Sequence, residues 1–239
     1  MTTYEYLIQT NDVIKQNLNA LKDNSLIENL SKCFTFCEDF REWINCCPNF
    51  ADIPLVKDAE IECENSIILC SMGFYKEAIT ALRQFFEHTL FSIFLSTNDY
   101  KYRLWLLGQY DMSWATITDD NDGLFSKRFV KAYAHSADDD TNVQLLHLSK
   151  TVYRECSEFV HGNFCKISMR SQNLKFSQEC LEKFLSYFCN AQYVVCLTMF
   201  IRFNDIFKDN SVLTALEPIL AEYLGTQQEI LDLLGKEGD

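Results

Sequence analysis

Residues that break helices are scarce in this chain: 239 residues contain only 7 glycines and 3 prolines. Leucine, isoleucine and phenylalanine recur in long stretches without a breaker, as in Phe74 to Leu95, FYKEAITALRQFFEHTLFSIFL. Few positions therefore demand a tight turn, and long helices are favoured over short strands joined by hairpins. Nearly half of the residues are hydrophobic, 48%, so a chain of this length can bury a sizeable core as one domain, residues 1–239.

Apolar periodicity places helices over Tyr4 to Leu21 and Ser25 to Asn45, an N-terminal helical extension spanning residues 1–50. Pro48 and Pro54 bracket a loop, after which the helical pattern runs from Lys57 to Ser71 and Gly73 marks a turn. Phe74 to Leu95 follows. The segment 97–140 is the least regular and reads as an insertion or lid with short helices; it carries Trp105, Trp114, a DDNDG turn signal and the basic strip Lys127, Arg128 and Lys131. Helical periodicity returns over Asn142 to Val160 and stops at His161-Gly162-Asn163, where glycine can supply the left-handed position after a helix. Further helices are expected over Ser177 to Phe207 and Ser211 to Leu234, the latter a C-terminal helix within 211–235. The expected fold class is all-α. The two helices before the insertion and the two after it make an antiparallel four-helix bundle, with the extra N- and C-terminal helices packed around it.

The net charge of −13 argues against broad binding to nucleic acid, because phosphate backbones are gripped by clustered Lys and Arg. A small site escapes that argument. Acid is concentrated in the first quarter and in Asp119-Asp120-Asn121-Asp122 and Asp138-Asp139-Asp140. Lys150, Arg154, Lys166, Arg170 and Lys175, by contrast, face only Glu155 and Glu158 within 150–175.

Eleven cysteines, an odd number in a long chain whose start MTTYEYLIQTND has neither a basic nor an apolar leader segment, fit a reducing, cytoplasmic setting better than a disulfide framework. Cys33 and Cys37, one helical turn apart, with Cys46-Cys47 close behind, could form a zinc site. They lack a C-x-x-C pair and a histidine at ligand spacing, so no metal and no cofactor is expected. Cys180, Cys189 and Cys196 sit among phenylalanine and valine and read as small core side chains. The most apolar stretch, Tyr193 to Ile201, is short for a bilayer span and ends at Arg202, so no membrane association is expected.

The densest polar constellation in an apolar setting is YRECSEFVHGN, residues 153–163. At about 100° per residue, Arg154 and His161 differ by about 20° in azimuth, two turns along one helical face, with Ser157 and Glu158 between them. A histidine near neutrality can move a proton, and an arginine can hold a phosphate and stabilise developing charge. Together they suit metal-free RNA cleavage, whereas surface or structural roles are the ordinary alternative for such a pair. Arg83 and Glu87, one turn apart, are either a structural ion pair or the group that orients the Arg154 stripe, for example through an Arg83 to Glu158 contact. Ser157 and His161 could also be nucleophile and base, but no G-x-S-x-G elbow supports them; a role for Ser157 in capping a hydrogen-bond network is more ordinary. His88, His135 and His147 are isolated. No phosphate-cradling glycine loop is present, which disfavours nucleotide hydrolysis.

Arg154, six residues, then His161 resembles the R-x(4 to 6)-H signature of the HEPN superfamily of small helical bundles, many of them ribonucleases of bacterial toxin–antitoxin, phage-defence and CRISPR-associated systems. The pattern at Tyr153, Ser157, His161 and Gly162, and the upstream GFYKEAITALRQFFEHTLF, are similar to the corresponding helices of such bundles. The resemblance covers roughly 60–205, within a core at 57–207 interrupted by the 97–140 insertion. The family often has Asn, Asp or His after the Arg, where this chain has Glu155. The resemblance implies a metal-independent endoribonuclease with Arg154 and His161 catalytic and Tyr153, Ser157, Glu158, Arg83 and Glu87 in support. Lys150, Lys166 and Arg170 would contact RNA. It also implies a homodimer that joins the two active motifs, and a possible protein partner from the same defence or toxin–antitoxin system. The alternative within the family is a non-catalytic module that binds a partner protein or a nucleotide.

Overall fold

Scarce breakers become helix. The computed structural model describes residues 1–22, 24–134, 140–160 and 174–235; these form eleven α-helices, with no strand among the described residues. They are α1 (Thr3–Lys22), α2 (Ile27–Cys46), α3 (Pro54–Met72), α4 (Tyr75–Leu95), α5 (Asp99–Leu106), α6 (Trp114–Ile117), α7 (Lys127–Tyr133), α8 (Thr141–Val160), α9 (Gln178–Arg202), α10 (Asn210–Leu224) and α11 (Gln228–Leu233).

Helix α3 starts with Pro54 in its first turn, where a missing N–H costs nothing. It ends at Gly73, which turns left-handed at φ 91°. A side chain there would put Cβ 2.9 Å from the carbonyl oxygen of Leu174 and would also strike the Asn17 carboxamide, so glycine is required by conformation and by space. The tight reversal lays α3 along α4, and both helices bury small residues, Ala59, Cys63 and Ser66 on α3 and Ala78 and Ala81 on α4. Helix α4 also packs on α8 and α9, and α8 packs on α9.

Within the N-terminal extension, α2 packs directly into this core. Phe36 of α2 meets Phe85 of α4 edge-on at 6.0 Å and Phe188 of α9 at 5.7 Å, and Phe40 meets Phe85 at 5.4 Å. All four rings are buried. Truncating such a ring costs about 3–5 kcal/mol. Helix α1 is the peripheral one, with only Asn17 and Leu21 buried. The Asn17 amide donates to the carbonyl of Met72 at 2.8 Å and to that of Leu174, and Tyr75 accepts from the Ser177 backbone N–H at 3.0 Å. These bonds pin the chain where it comes into α9.

Two expectations for the C-terminal half need correction. The helix expected over Ser177 to Phe207 ends at Arg202 and gives way to a 3-10 turn over Asn204–Lys208. The single helix expected over Ser211 to Leu234 is two, α10 and α11, parted at Gly225. Helix α9 is also longer and more apolar than the Tyr193 to Ile201 stretch implied, enough by length and composition to cross a bilayer. Since 67% of its most apolar window is buried against the other helices, it is placed as a core helix.

Candidate functional site

Helix α8 buries Leu145, Ser149, Val152, Cys156 and Phe159, residues that fall on one face at 100° per residue. Arg154 lies opposite that face, and its side chain is 68% exposed. Lys150, one turn earlier on the same outward side, is exposed as well. Of the stripe expected to run from Arg154 to His161, Arg154 is exposed while Ser157 and Glu158 are half-buried. His161, Gly162, Lys166 and Arg170 lie outside the described residues.

Glu155 pairs with Arg154, with Oε1 3.6 Å from Nη2, and its Oε2 accepts from the Tyr187 hydroxyl of α9 at 3.0 Å. The ion pair is long and open to water on the arginine side, so it contributes little stability. Its consequence is electrostatic: a carboxylate anchored to α9 sits beside the guanidinium.

Tyr153, the residue before Arg154, is held from two sides. Arg83 Nη2 donates to its hydroxyl at 3.1 Å, and the guanidinium carbon lies 4.7 Å from the ring centre. The Trp114 indole stacks on the same ring at 4.1 Å with planes 8° apart, a contact of about 1 kcal/mol beyond its area burial. Arg83 also donates through Nε and Nη2 to Glu87 Oε1, at 3.2 and 3.0 Å, and each of these two side chains is only 17% exposed. The Arg83 to Glu158 contact is not formed: Arg83 is spent on Glu87 and Tyr153. Its pull on the site helix runs through Tyr153, which stands about 100° round the helix from Arg154.

Trp114 is the residue to which sequence reasoning assigned no role. It opens α6, whose first turn Ser113 caps by accepting from Thr116 N–H, and it also leans on Phe86 at 5.9 Å. The insertion is thus tied to α4 and α8. The available signal was an aromatic directly behind a helix-capping serine inside an otherwise polar segment.

The remaining candidates sort by contact. The Ser157 hydroxyl donates to the Tyr153 carbonyl of its own helix at 2.6 Å, so it does not cap a network between helices. Glu158 is half-buried. His88, which looked isolated, brings Nδ1 to 2.7 Å from Asp58 Oδ2 of α3, although not aligned as a hydrogen bond. His147 is exposed, and His135 lies outside the described residues.

Cys33 and Cys37 point into the core, where Cys37 Sγ approaches Cys63 Sγ to 3.5 Å. Burial pushes the thiols of Cys33, Cys47, Cys63, Cys70 and Cys196 well above their usual range. Among the described residues no three ligating side chains converge on a metal position. Cys189 departs from the expected core role: it is exposed and lines a cleft of about 440 Å³ between α2, α9 and α10. A second cavity of about 390 Å³ adjoins it along α2 and α10, and a third of about 310 Å³ lies at the α4–α5 junction. Arg154 lines none of these three.

No family model, no curated protein and no solved structure matches this chain.

Proposed function

We propose that this chain is an HEPN-like, metal-independent endoribonuclease of a prokaryotic defence or toxin–antitoxin system, acting in the cytoplasm as a homodimer. The observation that supports the reading is the outward projection of Arg154 from a helix whose opposite face is sealed into the core and whose neighbouring Tyr153 is clamped by Arg83 and Trp114. An arginine so placed costs no buried desolvation and can grip a phosphate. His161 would take the proton of a ribose 2′-hydroxyl or return one to the departing 5′-oxygen. The 2′-oxygen attacks phosphorus, the bond to the 5′-oxygen breaks, and a 2′,3′-cyclic phosphate remains. Lys150 would add positive charge on the same side, with Lys166 and Arg170 as further RNA contacts.

A second reading, a non-catalytic HEPN-like module for a partner protein or nucleotide, is favoured by one observation: Glu155 stands 3.6 Å from the arginine that would meet phosphate. The experiment that separates the two is RNA cleavage by the purified chain in excess EDTA, comparing wild type with Arg154→Ala and His161→Ala after circular dichroism has established that both fold. Cleavage by wild type alone, leaving cyclic phosphate ends, supports the ribonuclease. Cleavage that survives both substitutions removes the pair from the chemistry.

A further inference from the structure

Arg202, the last residue of α9, is half-buried in a chain of net charge −13, yet no carboxylate among the described residues pairs with it. Its fixed partners are neutral: Nε donates to Ser96 Oγ at 3.0 Å and Nη2 to the Ser96 carbonyl at 2.8 Å. The rings of Tyr133 and Phe203 each have their centre 4.8 Å from its guanidinium carbon. A guanidinium has five N–H donors, and these bonds use two. The unpartnered polar side-chain atoms sealed from water, among the described residues, are Trp43 Nε1 and His88 Nδ1. Arg202 Nη1, which has no partner among the described residues and is not one of those sealed atoms, therefore keeps contact with solvent.

Arg202 lines the third cavity, about 310 Å³ in volume, together with Ser96, Asn49 and Tyr102. Asn49 holds a left-handed backbone at φ 59°, a conformation asparagine tolerates better than most residues, and it brings a carboxamide to the cavity wall. Asp99 is the one acid on the wall; its side chain is 73% exposed and is bonded to Arg103 at 2.7 Å. The cavity is at the small end of ligand sites, about 300–1,000 Å³. A planar fork with two aromatic rings beside it, neutral polar side chains on the same wall and, among the described residues, no carboxylate paired with it matches two oxygens of one oxyanion.

We propose that this cavity is an oxyanion site in which Arg202 grips the phosphate group of a small molecule. It shares no residue with the Arg154 face and stands whether or not the chain cleaves RNA.

The test is titration of the full chain with inorganic phosphate at constant ionic strength, followed by calorimetry and by ³¹P line broadening, with glycerol 3-phosphate as a second probe. Wild type is expected to bind saturably. Arg202→Gln should weaken binding at least about ten-fold, and Arg128→Gln, which removes an exposed arginine elsewhere, should leave it unchanged. Asp99→Asn removes the one opposing charge and should tighten binding about two- to three-fold. Tighter binding of the ester than of free phosphate assigns the site to phosphorylated metabolites; equal or weaker binding assigns it to phosphate itself. No saturable binding by wild type, or wild-type affinity retained in Arg202→Gln, overturns the proposal. Should Arg202→Gln fail to fold, Asp99→Asn decides: tighter binding supports the site and unchanged binding overturns it.

Discussion

Raising the pH should unfold this protein early. Cys33, Cys47, Cys63, Cys70 and Cys196 are buried, and burial holds their thiols well above the ordinary range. In the unfolded chain each ionises near its reference value of about 8.5. The folded pKa being the raised one, stability is fully present below about pH 8.5 and is lost as pH rises, because the unfolded state then binds fewer protons than the native one. One pH unit above the reference value, each thiol withdraws about 1.4 kcal/mol, and five together about 7 kcal/mol. A domain of this kind has about 5–15 kcal/mol in total, so half or more should be gone by about pH 9.5. Tyr75, whose phenol burial pushes up to about 12, adds to the loss in the next pH unit. Urea unfolding at pH 7.5, 8.5 and 9.5, with reductant present throughout, measures this directly. Cys196→Val should reduce the difference between pH 7.5 and 9.5 by about 1.4 kcal/mol, which separates the thiols from general charge repulsion. A difference under about 2 kcal/mol in wild type would refute the reasoning.

Two further outcomes test how the site helix and its surroundings are held. Asn17→Ala strips the donor shared by the Met72 and Leu174 carbonyls and should lower the free energy of unfolding by about 2–4 kcal/mol, seen as a lower urea midpoint at unchanged slope. Trp114→Ala removes the stack on Tyr153 and should cost about 2–3 kcal/mol; limited proteolysis should then cut within 97–134 faster than in wild type, and an unchanged cleavage rate would mean that the insertion is held by other contacts.

Helix positions were legible where an apolar stripe meets a recognisable end, such as Gly73 closing α3, although that helix opens at Pro54, three residues ahead of the expected Lys57. What a stripe does not state is its partner. Leu30, Phe36 and Phe40 mark a buried face on α2, but the pattern is equally compatible with a helix laid on the outside of a bundle. Only three-dimensional packing puts Phe36 between Phe85 and Phe188. The break at Gly225 was missed for the opposite reason: leucines on both sides keep the helical period, and one glycine inside such a pattern costs only about 1 kcal/mol.

The same division holds at the candidate site. The outward direction of Arg154 follows from local spacing, since Val152, Cys156 and Phe159 claim the opposite face. The i, i+4 pairing of Arg83 with Glu87 was local too. Tyr153 as the third member of that group, and Trp114 above it, depend on contacts across 70 and 39 residues of chain, which no spacing rule encodes. This geometry separates support from chemistry. Arg83 and Trp114 hold the backbone of α8 through Tyr153, whereas among the described residues Arg154 itself is anchored by nothing firmer than a 3.6 Å pair with Glu155. Arg154 lines none of the three cavities, and in the proposed homodimer a second protomer would face it. The same approach would bring two copies of Glu155 towards one phosphate. In the single chain the 3.0 Å bond from Tyr187 keeps that carboxylate within 3.6 Å of Arg154, so under the proposed function activity depends on Glu155 turning away from the arginine when phosphate binds.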